Sequence, residues 1–158
     1  MFREMLRKKQ QLSHAECIAL LQSERRGVLS VIGDGGYPYG TPMNHYYDGE
    51  RGCLYFHCGN VGHRLEALQK EPKVSFCVYE QGSAPEGEWA LRVRSVVVFG
   101  RIEILEDPAL IAHICTELSR KFTSDEAYIA REIAEHAHRT KLLRLVPEHI
   151  SGKLVTES

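Results

Sequence analysis

Short runs of β-branched and aromatic residues bounded by turn formers dominate the hydrophobic pattern, and they predict strands over 27–33, 53–58 and 74–79. Asp34-Gly35-Gly36 tolerates positive φ and predicts a hairpin from the first run into a strand over 39–47. Pro38 and Pro42 lack ladder donors and keep that second strand from being an ordinary central one. Asp48 to Gly52 (DGERG) predicts another hairpin turn. The longest strand pattern covers 89–105, where Arg92, Arg94 and Ser95 interrupt the apolar positions and Gly100 suggests a bend or bulge. A last strand is expected over 141–147, with a short tail strand over 150–155. Consecutive hairpins favour an antiparallel meander over a βαβ unit.

Helical spacing is confined to four places. Ser13 and Glu16 form a capping-box pattern ahead of Cys17, Ile18, Leu20 and Leu21, which predicts a helix to about residue 24. A short helix is expected over 63–71, with Leu65 and Leu68 facing in and Pro72 stopping it. Asp107-Pro108 opens a helix over 109–121, and another follows over about 124–138. The expected fold is mostly β with flanking helices: six or seven short antiparallel strands that hide their edges by closing into a barrel or partly open barrel. One domain over 1–158 accounts for the pattern, with the N-terminal helix at about 13–24, the barrel at about 27–105 and 140–147, and a helical insert at about 108–138.

Composition narrows the classes. The chain has 158 residues, 43% hydrophobic and 26% charged, enough for one core without staples. Lys plus Arg total 20 against 21 for Asp plus Glu, so no general nucleic-acid or anionic-membrane binder is indicated. Five cysteines without a Cys-x-x-Cys pair, no apolar leader and no membrane-length apolar run point to free thiols and a cytoplasmic location.

Three clusters carry candidate chemistry. In the loop His57-Cys58-Gly59-Asn60-Val61-Gly62-His63-Arg64 a strand ends, glycines turn the backbone and a helix begins. Free N–H groups with Arg64 beside them make a phosphate cradle. Taken alone, such a loop is more often a plain turn with a solvated arginine. It is neither a Walker loop nor a Rossmann fingerprint. His45, His57, Cys58 and His63 are metal-ligand types, but His57 and Cys58 point to opposite faces of a strand, so no metal site is assigned. Alternation puts Arg92 and Arg94 on one face and Ser95 on the other, where its hydroxyl could help bind an anion at a barrel edge, although an edge strand kept soluble by two arginines explains the pattern better alone. Among the thiols only Cys58 lies near positive charge, which suggests a lowered pKa.

The ordered set Pro42-Met43-Asn44-x-Tyr46, Leu54-Tyr55-Phe56-His57, Gly62-x-Arg64, Lys73-Val74-Ser75-Phe76 and Arg94-Ser95-Val96-x-x-x-Gly100 resembles the pyridoxamine 5′-phosphate oxidase-like FMN-binding proteins, and within them the nitroimidazole-resistance branch. The likeness covers about 27–105. It implies an antiparallel FMN-binding split β-barrel that pairs as a homodimer with FMN at the interface. By position, Asn60, Gly62, Arg64 and Ser95 would bind the phosphate, and Pro42, Met43 and Asn44 would run beside the isoalloxazine. His57 would stand close to flavin or substrate as the candidate catalytic residue, and Trp89 would cover the ring. The family often has Lys where Arg64 stands and Phe or a small residue where His45 stands. The basic residues that grip a pyridoxal phosphate have no clear counterparts, which argues against the vitamin B6 reaction.

The resemblance therefore implies a flavin-dependent oxidoreductase reducing a small acceptor such as a nitroaromatic. The alternatives are a non-catalytic FMN-binding or sensing module, or the same barrel with deazaflavin F420 or haem, for which His45 or His57 would be ligands.

Overall fold

Seven antiparallel strands form one curled sheet in the computed structural model, which describes residues 1–157. The elements run α1 (His14–Ser23), β1 (Arg26–Ile32), β2 (Pro38–Asn44), β3 (Tyr46–Asp48), β4 (Cys53–Cys58), α2 (His63–Lys70), β5 (Lys73–Tyr79), β6 (Leu91–Leu105), α3 (Pro108–Arg120), α4 (Glu126–His136) and β7 (Lys141–Glu157). The sheet order is β2-β1-β5-β6-β7-β4-β3.

That order explains the closure. The strand expected over 39–47 is interrupted at His45, and its halves lie at opposite edges of the sheet. One residue joins β2 to β3, so the sheet must curl until its two edges meet. His45 N–H donates to Arg25 O at 3.3 Å across the seam. Both expected hairpins are present, β1 with β2 and β3 with β4. The step between them is a crossing of the barrel rather than a continued meander.

Alternation sends Leu29, Val31, Leu54, Phe56, Phe76, Val96, Val98, Leu143 and Leu145 into one interior cluster, which α1 and α2 join through Leu20, Leu21, Leu65 and Leu68. β4 is covered on both faces. Leu54 and Phe56 point into the barrel, while Cys53 and Tyr55 pack against Ile111 and Ile114 of α3. This is why its sequence shows an unbroken apolar run.

Capping sets the helix starts. Ser13 and Glu16 form the expected reciprocal box, at 3.2 and 2.7 Å. Asp107 accepts from Leu110 N–H, and Asp125 from Tyr128 N–H. Lys121, just past α3, donates to the carbonyls of Glu24 and His45, both at 2.7 Å. It thereby ties α1 and α3 to the barrel seam, and burial lowers its pKa to about 8.

β7 is one strand of 17 residues, where two pieces were expected. Pairing along all of β6 carries it through Pro147. The register skips Glu148 between Phe99 and Gly100, a bulge that absorbs the missing proline donor. A Cβ on Gly100 would lie 2.2 Å from Val146 O, so this crossing admits glycine alone. β6 is flanked by β5 and β7, which corrects the edge-strand reading of its arginines. No helix among the described residues is long and apolar enough to cross a membrane.

Candidate cofactor site

The phosphate-like cradle forms where β4 gives way to α2. Gly62 precedes the helix with φ 136° and ψ 163°, a conformation essentially reserved for glycine. No side chain caps α2, in contrast to α1, α3 and α4. Its first N–H groups and the positive end of its dipole therefore face the adjoining cavity. Replacing Gly62 by Ala should strain this turn by roughly 1–3 kcal/mol and weaken phosphate binding more than overall stability. Parallel FMN titrations and thermal unfolding curves check this.

Arg64 leads into the cradle from the first turn of α2. Its Nε and Nη2 donate to Thr41 Oγ1 at 3.2 and 2.8 Å. Thr41 lies on β2, so the guanidinium is held between two elements while half-buried. Both bonds go to one neutral hydroxyl, which leaves the charge itself available to an anion. Tyr39 stacks on His63 at 4.3 Å and forms another wall. His63 Nε2 accepts from Asp34 N–H at 3.4 Å and stands 3.7 Å from the Asp34 carboxylate. The cavity framed by Tyr39, Gly59, Gly62, His63 and Arg64 measures about 280 Å³.

A second cavity, also about 280 Å³, is lined by Arg26, Pro42, Met43, Asn44 and His57. The β1–β2 register sets Arg26 opposite Asn44 and Val28 opposite Pro42. As β2 is an edge strand, Pro42 sacrifices no ladder bond there. Arg26 belongs to none of the motifs in the sequence. Its signal was the hairpin register: counting back from the turn at Asp34–Gly36 brings it level with Asn44.

His57 follows Phe56 on β4 and so faces outward, toward α3 and α4. Desolvation holds its imidazole below the ordinary histidine pKa, which leaves it neutral at pH 7. It walls the second cavity on one side and a cleft between α3 and α4 on the other.

Several sequence-chosen residues stand apart in the single chain. Asn60 lines a groove with Glu106 and Lys141 rather than the cavity of Arg64. Ser95 pairs with Tyr79 and Lys153, with β5 and β1 between its strand and β2. The hydroxyl that meets Arg64 is Thr41. Trp89 lies on the loop before β6 and is 78% exposed. Arg94 is taken up by Glu80, at 2.7 Å. Cys58 departs from expectation: burial pushes its thiol pKa up, outweighing the nearby charges of Arg64 and Lys141. His45, offered as a haem ligand, is fully buried against Phe76 with Nε2 donating to Leu21 O, and it lines no cavity described above.

The sequence profile of the family described as pyridoxamine 5′-phosphate oxidase matches residues 13–154. No curated protein matches the chain in sequence. Among solved structures, a conserved hypothetical protein of Mycobacterium tuberculosis superposes with TM-score 0.79 at 21% identity, over 95% of this chain and 90% of that one. A 5-nitroimidazole antibiotic resistance protein of Bacteroides thetaiotaomicron, so described on a provisional basis, gives 0.75 at 19%, over 93% and 87%. An FAD-binding protein of Mesorhizobium loti gives 0.65 at 28%, over 92% and 97%.

Proposed function

The chain belongs to the pyridoxamine 5′-phosphate oxidase family, and on that premise we propose that it is a homodimeric FMN-binding oxidoreductase acting on a small acceptor such as a nitroaromatic. The observation that carries this reading is Arg64: a half-buried guanidinium, clasped by a neutral hydroxyl, beside an uncapped helix start. This donor set suits a phosphate monoester. Bound FMN would supply hydride or single-electron chemistry.

The protein's own groups supply position and proton control. Arg64 and the α2 amides hold the phosphate end. The outer edge of β2, with the Asn44 amide and the Arg26 charge beside it, offers polar groups to a ring. Neutral His57 can donate from one ring nitrogen and accept at the other, so it can orient an acceptor or hand on a proton.

Pairing of two chains is supported by the outward face of β1, β5 and β6. Ile32, Tyr79 and Phe99 there are 46%, 60% and 40% exposed. Phe2 stacks on Phe99, while Ile32 and Tyr79 stand open, and exposed apolar side chains of this kind favour a partner. A second chain is also the natural source of cover for Trp89 and Ser95, which the single chain leaves away from the cavities.

Purified protein should be yellow and should release FMN on denaturation. A colourless protein that takes up no added FMN would defeat the reading. FAD is the second reading, favoured by the 28%-identical FAD-binding neighbour. Chromatography of the released chromophore decides between them. Bound flavin that no reductant reduces, and that passes no electrons on, would instead indicate a binding or sensing module.

A further inference from the structure

The cleft between α3 and α4 is distinct from both cavities of the flavin reading, yet it touches one of them. Its volume is about 190 Å³. Drug-sized sites run to about 300–1,000 Å³, so this one suits a single ring. Leu118 and Cys115 of α3 and Ile133 of α4 line it, together with Ala137. It exists because α4 buries Ile129 against its neighbours and leaves Ile133 half-buried.

The polar part of the lining is sparse and directional. Ser119 and Thr140 offer hydroxyls, and Thr140 Oγ1 already donates to His136 O at 3.0 Å. Burial pushes the Cys115 thiol up, so it is uncharged at pH 7. Glu132 contributes a carboxylate, 3.6 Å from His136 Nε2. Arg139 stands behind this pair, with Nη2 at 2.8 Å from His136 Nδ1. No lysine or arginine lines the cleft itself, whereas Arg26 lies on the far side of His57.

His57 is the residue common to the cleft and the cavity of Arg26, Pro42, Met43 and Asn44. A molecule seated between the helices therefore touches the imidazole that walls the ring cavity. We propose that this cleft is the acceptor pocket, and that it takes an uncharged single-ring aromatic while Glu132 turns anionic ones away. The role as acceptor pocket rests on the flavin reading. The pocket and its charge preference do not.

Two probes of one ring size separate these claims: 4-nitrobenzyl alcohol, uncharged, and 4-nitrobenzoate, an anion. Calorimetric or ligand-observed NMR titration should show the alcohol binding about tenfold or more tighter than the benzoate. Glu132→Gln should bring the two affinities to within about twofold. Ile133→Trp from α4 and Cys115→Phe from α3 each fill the cleft. They should abolish binding of the alcohol while leaving flavin content and thermal unfolding unaltered. Equal affinities in the parent protein, or filled variants that fold and bind as before, would overturn the pocket. The same titrations run on flavin-free protein keep the two readings apart. A protein that binds no flavin but shows both effects keeps the pocket and loses its role beside a flavin. A flavin-loaded protein that shows neither loses the pocket alone.

Discussion

On the proposed reading, replacing Arg64 by Ala should lower FMN affinity by about 10- to 150-fold, because hydrogen bonds to a charged group are worth about 1.5–3 kcal/mol. Riboflavin, which lacks the phosphate, should bind both forms equally well. The contrast matters more than the size of either number. A loss shared by FMN and riboflavin would mean that the loop had collapsed, and would remove the phosphate assignment. Arg64→Lys falls between, since a point charge remains but the fork that spans Thr41 Oγ1 and an anion does not. Thr41→Val tests the clasp from the other side. It leaves the charge in place and frees its direction, so FMN affinity drops by less than in Arg64→Ala. Fluorescence-quenching titrations of the four proteins with both ligands give the comparison.

The second large effect is acid lability set by His45. Its ring is fully buried, Nε2 donates to Leu21 O at 2.7 Å, and Nδ1 has no partner. Burial first, and then the Lys121 charge, lower its pKa from 6.5 to about 4, against the opposing bond to Leu21. The unfolded chain binds a proton near pH 6.5 that the folded protein refuses until about pH 4. Stability tied to His45 is thus complete above pH 6.5 and falls as the pH drops toward 4, by about 3 kcal/mol in all. His45→Gln removes this contribution, so urea unfolding between pH 6.5 and 4.5 should show a clearly shallower decline in the variant. Equal slopes in both proteins would falsify the assignment. The consequence reaches the fold directly, because His45 joins the two edges of the barrel.

Much of the local structure was legible before folding. The Ser13–Glu16 box, the turns at 34–36 and 48–52, the stop at Pro72 and the proline-opened α3 rest on contacts within a few residues, and all appear where expected. Gly62 does stand at the start of α2 with Arg64 in its first turn, since glycine freedom and a helix start are local properties. Pro42, Met43, Asn44 and His57 were chosen by resemblance, and one cavity brings them together.

Other parts depended on partners distant in sequence. Nothing in the run TPMNHYY announces that it breaks at His45. The break follows from sheet order, which is decided by β1 and β4 finding other neighbours. β7 reads as two fragments until the whole length of β6 lies beside it and a bulge accommodates Pro147. Cys58 sits near two cations, but its surroundings desolvate it more than they attract its charge.

By itself, then, the sequence determined the helices, the two hairpin turns, the family, and a glycine and an arginine at one helix start, because periodicity, capping and turn chemistry act over a few residues. The tertiary structure alone decided that Thr41 clasps Arg64, that His57 looks out on two cavities, and that His45 closes the barrel. These depend on which distant segments pack together, and on the burial that only packing creates.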